Sequence, residues 1–222
     1  MDTNQPLLSL LSDDLVEALL SRGVTMAYDR GQTIHQRGDT NRSLSIILSG
    51  RVRFGLYQRD GEYIQTAVLG WGHCFGEATL FADTPRAYHA DAIDRTELLD
   101  LKKRVVEDLL AKEPALAGPL LVTLTSRLYE SLEFADDLRS NSLEVRIAKQ
   151  LLRLHMTGNF GGSTIQVRQS DLAFGPDQSR VSIGKALGRL KSAGLIELGN
   201  GEIGIRAMAA RVDWTKEHDL AR

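Results

Sequence analysis

Residues 70–92 read Gly70-Trp71-Gly72-His73-Cys74-Phe75-Gly76-Glu77-Ala78-Thr79-Leu80-Phe81-Ala82-Asp83-Thr84-Pro85-Arg86-Ala87-Tyr88-His89-Ala90-Asp91-Ala92. The chemistry is concentrated in two short runs, Phe75-Gly76-Glu77-Ala78 and Thr84-Pro85-Arg86-Ala87, with Arg86 nine residues beyond Glu77. Glycine has no Cβ, so the backbone at Gly76 can come close to an anion. A carboxylate and a guanidinium at this separation can grip the two sides of a sugar phosphate, Glu77 accepting from a ribose hydroxyl and Arg86 pairing with the phosphate. Glycine, glutamate, spacing and the Pro-Arg-Ala run together carry this reading, where a lone Gly-Glu pair carries none.

Outward from this stretch the pattern is β. Glycines recur at 31, 38, 50, 61 and 72, and the runs between them alternate, as in Leu44-Ser45-Ile46-Ile47-Leu48-Ser49 and Arg51-Val52-Arg53-Phe54-Gly55-Leu56. Turns at that spacing predict a small antiparallel β-barrel or sandwich. Arg59-Asp60-Gly61-Glu62 predicts a hairpin turn, because Asp-Gly supplies the positive φ a tight turn needs. Before the β region, Leu8, Leu11, Leu15 and Leu19 fall at helical intervals, with Ser12-Asp13-Asp14 as capping chemistry.

Beyond the last predicted strand, Glu97 to Leu101, residues 103–112 return to helical spacing and Pro114 stops them. A long helix of about 35 Å follows, from about Leu116 to Leu138. Leu121, Leu124, Leu128, Ser131, Ala135 and Leu138 form a heptad seam on it, which predicts dimerisation; packing against the chain's own barrel is the alternative. Arg139-Ser140-Asn141 marks the hinge, and Asn141 with Glu144 is a capping-box pattern for the next helix, whose apolar side is Ile147, Leu151 and Leu154. The domain boundaries so predicted are 1–115, 116–140 and 141–222.

Residues 165–205 read as strand, helix, turn, helix and β-wing. In the second of these helices Ile183, Leu187 and Leu190 form the buried stripe, while Val181, Gly184, Lys185 and Gly188 point the opposite way and Arg180 projects near the N-terminal end. Such a face suits a major groove. Arg180 and Lys185 can reach guanine O6 and N7, and the Val181 methyls suit a thymine methyl. Arg168, Gln169, Ser179 and Arg189 are the further candidates for DNA contact. Leu198-Gly199-Asn200-Gly201-Glu202 is a hairpin able to touch the backbone as a wing.

Composition narrows the classes. The chain has 222 residues, 42% hydrophobic and 25% charged, which is ordinary for one or two soluble domains. Residues 1–141 hold 15 Lys+Arg against 21 Asp+Glu, whereas 142–222 hold 12 against 8, so the C-terminal part is the one suited to a polyanion. No apolar run reaches the roughly 18 residues of a membrane span, and the first residues lack the basic start of a secretory signal, which predicts a cytoplasmic protein without membrane contact. The single cysteine excludes an internal disulfide and an ordinary iron-sulfur cluster. His73-Cys74 offers two iron-ligand types, but one such pair is far more often structural, and no metal is expected. Neither a nucleophile with its base nor a metal cluster stands at recognisable spacing, so an enzyme is not expected.

The cassette at 75–87, the long seam helix and the C-terminal Ser179-Arg180-Val181-Ser182-Ile183-Gly184-Lys185 run occur in the order found in bacterial transcription regulators of the Crp/Fnr family. Gly31-Gln32-Thr33-Ile34, Arg37-Gly38-Asp39, Ile46 to Val52 and Arg146-Ile147-Ala148 add to a resemblance that spans nearly the whole chain. It implies an α+β fold with an N-terminal cyclic-nucleotide-binding jelly-roll barrel, a dimerisation helix and a C-terminal winged helix-turn-helix. It further implies a homodimer on a two-fold symmetric site in double-stranded DNA, a partnership with RNA polymerase, and allosteric control by an effector. Carried over residue by residue, Gly76, Glu77 and Ala78 match the ribose end of the cassette, Arg86 its phosphate ligand, and Ala87 and Tyr88 the positions beside it. Alanine at 87 resembles cAMP-selective domains, which makes cAMP the expected effector, and Ser131 matches a polar long-helix position against the base. Three departures stand out: Tyr88 where a small residue is usual, His73 for an aspartate, and Asp177 for a turn glycine. Two alternatives stay open: a regulator of this fold with another effector or none, and a nucleotide-controlled module whose winged helix binds a protein.

Overall fold

The alternating runs of residues 24–102 become eight strands in two four-stranded antiparallel sheets of a computed structural model, which describes residues 5–57, 61, 63–157, 164–167, 172, 180–199 and 202–205. The first sheet runs β1 (Val24–Tyr28), β8 (Thr96–Lys102), β3 (Ser43–Ser49), β6 (Cys74–Phe75). The second runs β2 (Thr33–His35), β7 (His89–Ala92), β4 (Val52–Tyr57), β5 (Tyr63–Leu69). Their strand order is that of a jelly-roll-like domain. Alternation sets the register: Leu44 opposite Leu101 and Ile46 opposite Leu99 are all at most 1% exposed, and each such burial is worth about 1.5 to 3 kcal/mol. On the other face of the same pair, Ser45 Oγ donates to Asp100 Oδ1 at 3.2 Å.

Helices complete this core. A 3-10 turn at Leu7–Leu10, α1 (Asp13–Arg22), α3 (Lys103–Lys112) and the start of α4 (Ala117–Ser140) contribute Leu7, Leu19, Val106, Leu109 and Leu120 to one cluster with β3, β8 and Leu80 of α2 (Glu77–Phe81). The predicted turn glycine at 50 has φ 78°, and a Cβ there would stand 2.4 Å from Arg95 O. The turn therefore needs glycine for both conformation and space. Pro114 opens a 3-10 turn immediately after α3, as expected of a residue that cannot continue a helix.

The chain divides into two units, residues 1–56 with 68–130, and residues 57–67 with 131–222. In the second, α5 (Leu143–Thr157) and α6 (Arg180–Ser192) pack together, and β9 (Thr164–Gln166), β11 (Glu202–Ile205) and β10 (Ile196–Leu198) form a three-stranded antiparallel sheet in the order β10-β11-β9. Ile147, Leu151 and Leu154 of α5 and Ile183, Leu187 and Leu190 of α6 are each at most 1% exposed. Gly194, at φ 72°, ends α6 with Leu195 N–H donating back to Leu190 O at 3.0 Å, a helix-closing pattern that leaves the chain free to enter the wing. The first helix of the predicted helix-turn-helix, with Asp177, falls mostly outside the described residues.

One boundary differs from expectation. Asn141 closes α4 rather than opening α5: its Nδ2 donates to Asp137 Oδ1 at 2.8 Å and its N–H to Asp137 O at 3.0 Å. Ser142 takes the N-cap role, its Oγ accepting from Val145 N–H at 3.4 Å. Glu144 is thus not the distal half of a capping box; its carboxylate pairs with Arg189.

Candidate functional site

The cassette is held by β6, which pairs with β3 through Ser45 opposite Phe75 and Ile46 opposite Cys74 and delivers the chain to Gly76. Gly76 has φ 98°, and a Cβ on it would lie 2.0 Å from Arg86 Nη1 and 2.4 Å from Ser43 O. No other residue fits. Glu77 then opens α2, and after that short helix Asp83, at φ 60°, turns the chain toward Pro85 and Arg86. The backbone of Arg86 is pinned on both sides, its N–H donating to Asp39 O at 2.8 Å and its carbonyl accepting from Gly38 N–H at 2.9 Å.

The Arg86 side chain turns inward. The residue is 7% exposed, and Nη2 donates to Ser43 O at 3.1 Å and Asn41 O at 3.3 Å. Its Nε and Nη1 are buried without a hydrogen-bond partner. Burial pushes the guanidinium pKa down, opposed by the carboxylates of Asp100, Glu77 and Asp39, and arginine stays charged at any ordinary pH. Glu77 is similarly half-satisfied: Oε1 accepts from Arg127 Nη1, while Oε2 is buried without a partner. Two donors and one acceptor are therefore held inside the fold unsatisfied, at roughly 1 to 3 kcal/mol for each buried group. A phosphate can accept from Arg86 and a ribose hydroxyl can donate to Glu77, so these residues fit a cyclic nucleotide.

Arg127 of α4 was not foreseen. Besides Glu77 it reaches the Cys74 carbonyl, at 2.5 Å from Nη2. Burial opposes its charge, but Glu77, Cys74 and Glu130 together outweigh that and raise its pKa. One sign was present in the sequence, since Arg127 is the only basic residue between Ala117 and Leu138. The 50 residues that separate it from Glu77 hide the pairing. Ala78, Ala87 and Tyr88 are exposed, with Tyr88 at 41%. Ser131 is an exposed residue of α4 in the second unit.

His73 is 3% exposed, and its pKa is lowered to about 4 by burial and then by Arg127. The Cys74 thiol is buried, and burial pushes its pKa up to about 12. Among the described residues no group of three or more His, Cys, Asp or Glu is placed to hold a metal ion. His35, ringed by Phe54 and Phe75 at centroid distances of 6.3 and 5.7 Å, also has a pKa of about 4 through burial and then Arg86.

Elsewhere, α6 presents Val181 at 66% exposure and an exposed Lys185, opposite its buried stripe. Arg180 is its first residue. Arg189 is exposed but ion-paired with Glu144 of α5. Arg168, Gln169 and Ser179 lie outside the described residues. On α4, Leu121 and Leu128 are 59% and 61% exposed, Leu138 39%, Ala135 exposed and Leu124 half-buried. Leu132, at 61%, extends this apolar stripe where the heptad pattern had placed Ser131. No helix among the described residues is long and apolar enough to cross a membrane.

Comparison with known proteins agrees with this geometry. Residues 25–113 match the cyclic nucleotide-binding domain. The chain is 31% identical over 204 residues to the cyclic AMP receptor protein of Thermus thermophilus, covering 92% of this chain and 94% of that one. It is 28% identical over 188 residues to a CRP-like cAMP-activated global transcriptional regulator of Mycobacterium tuberculosis, covering 82% and 84%. The crystal structure of the Thermus thermophilus catabolite activator protein superposes with a TM-score of 0.56 at 30% identity, over 96% of this chain and 99% of that one. This chain, with its cyclic nucleotide-binding domain, therefore belongs to the Crp/Fnr family of transcription regulators.

Proposed function

We propose that the protein is a cytoplasmic homodimer that binds cAMP at the cassette and, in response, a two-fold symmetric site in double-stranded DNA, acting there with RNA polymerase. The observation that carries the effector reading is the set of unpartnered buried atoms, Arg86 Nε and Nη1 with Glu77 Oε2, around a glycine that leaves no room for a side chain. Two unpartnered donors and one unpartnered acceptor match a cyclic phosphate and its ribose hydroxyl. Ala87 brings no hydroxyl beside Arg86, and the relatives named for cAMP support that nucleotide over cGMP. The exposed leucines 121, 128 and 132 supply a face for a second copy, as monomers seldom leave such a stripe on one helix uncovered. On α6, Lys185 and Val181 are the exposed pair suited to base edges, with Arg180 ahead of them.

The test is selection of DNA from a random pool by the full chain, followed by titration of the selected duplex with and without cAMP. A palindromic consensus bound at least about tenfold more tightly with cAMP supports the reading. Nucleotide binding with no DNA selected would favour the protein-interaction module instead. Selection of DNA without nucleotide binding would leave a regulator with a different effector or none.

A further inference from the structure

At the end of α4 a carboxylate is buried among cations. Asp137 is 5% exposed. Its Oδ1 accepts from Lys149 Nζ at 2.7 Å and from Asn141 Nδ2 at 2.8 Å, and its Oδ2 is buried 3.9 Å from Arg153 Nη1. Arg153 also sits over the Phe134 ring, 5.3 Å from its centroid. Phe134 and Asp137 are three apart on α4, and Lys149 and Arg153 four apart on α5, so each pair shares a helix face. Two points on one helix thus meet two on the next, across a joint of only Asn141 and Ser142.

Stability alone does not explain charges here, because a buried ion pair does little better than well-packed apolar residues of similar volume. What charges add is direction. An apolar contact tolerates sliding of one helix over the other, whereas the 2.7 Å contact of Oδ1 with Lys149 Nζ, together with Arg153, is lost when the helices slide apart. The same α5 packs against α6 and holds Arg189 through Glu144. We infer that Asp137, with Lys149 and Arg153, is a clasp that locks α5 to α4, which makes Asp137 a positioning residue for the DNA-reading helix. Turning of α4 then reaches α6 without slack at the joint. The coupling half of this inference rests on the function proposed above; the clasp itself does not.

The experiment uses the full chain as wild type, Asp137→Asn, Lys149→Met and the double variant, with two readouts. Hydrogen-deuterium exchange over residues 134–157, without ligands, reads the clasp. Exchange at least about tenfold faster in each single variant, and no faster in the double than in the worse single, is expected. The second readout is the ratio of DNA affinities with and without cAMP, which should fall at least about fivefold while cAMP affinity is retained. Unchanged exchange in Asp137→Asn and Lys149→Met would overturn the clasp. Faster exchange with an unchanged ratio would reduce Asp137 to a structural residue and overturn the positioning role. If the wild-type ratio is itself one, the functional reading has failed and exchange alone decides the clasp, with circular dichroism of each variant excluding misfolding; otherwise retained cAMP affinity excludes it.

Discussion

Arg86 and Arg189 are both proposed phosphate partners, and the two regions hold them in opposite ways. In the cassette Arg86 is buried, its backbone pinned to Gly38 and Asp39, with two nitrogens left unpartnered. On α6 Arg189 is two-thirds exposed and already engaged by Glu144. A buried donor without an acceptor destabilises the fold until an anion arrives, so its interaction with that anion is strong and not screened by salt. An exposed ion pair is worth about 0 to 1 kcal/mol and leaves little to gain on exchange for a phosphate. The difference teaches where affinity for a phosphate resides: in burial and preorganisation, not in the presence of arginine.

The largest effect should come from removing the buried group. Arg86→Leu is expected to weaken cAMP binding at least about 100-fold, the loss of two charge-assisted hydrogen bonds at roughly 1.5 kcal/mol each. Calorimetric titration measures it, and affinity within a few-fold of wild type would mean that the phosphate sits elsewhere. Next is Arg127→Met, which leaves Glu77 buried without its cation. Breaking a fully buried pair costs about 3 to 5 kcal/mol, and with Arg127 24% exposed a loss nearer 2 to 3 kcal/mol is expected in urea unfolding. A stability within about 0.5 kcal/mol of wild type would show that Glu77 needs no partner.

What was legible in the sequence follows from the range of the interactions. The turn at Gly50, the stop at Pro114 and the buried stripe Ile183, Leu187 and Leu190 are decided within a few residues, so periodicity and turn chemistry reach them. Gly76, Glu77 and Arg86 were legible because one short segment carries them all. Arg127 was not, since only the packing of α4 on the barrel domain brings it to Glu77. The exchange of cap roles between Asn141 and Ser142 has the same origin: local pattern favours Asn141 with Glu144, but Asp137 and Arg189 claim those side chains. On α4, heptad counting allows a line through Ser131 or through Leu132, and both residues are exposed.

The barrel domain also responds to acid in a way α6 should not. His35 is neutral in the fold, its pKa lowered to about 4 from an ordinary 6.5. The unfolded chain therefore takes up the proton first, and the stability from keeping the ring neutral is complete above about 6.5 and lost as pH falls toward 4. Between about pH 7.5 and 5.5 the loss from this residue is roughly 1 kcal/mol. Replacing it by phenylalanine, which suits a ring set between Phe54 and Phe75, should flatten denaturation curves over that interval by this amount. An unaltered pH slope would show that the imidazole titrates in the fold as it does in the unfolded chain. His73, with its pKa also near 4, adds a second contribution of the same sign.

Two of the exposed cations of α6, Lys185 and Arg189, sharpen the comparison at its smallest scale. Lys185 faces outward from the helix opposite the buried stripe, and Lys185→Ala is expected to cost about 1 to 3 kcal/mol of DNA affinity and to relax the selected consensus at one base. Arg189→Ala should change DNA affinity by less than about 0.5 kcal/mol and leave its salt dependence unaltered, because Glu144 holds that guanidinium. The measurement is the slope of log affinity against log salt for each variant. A residue that meets a phosphate releases one condensed counterion, so its removal lowers the slope by about one. A drop of that size in Arg189→Ala would mean that a DNA phosphate takes the guanidinium from Glu144 on binding. The contrast with Arg86 would then lie in how each arginine is readied for its phosphate, left unpartnered by the fold or released from Glu144 on contact, rather than in whether it meets one.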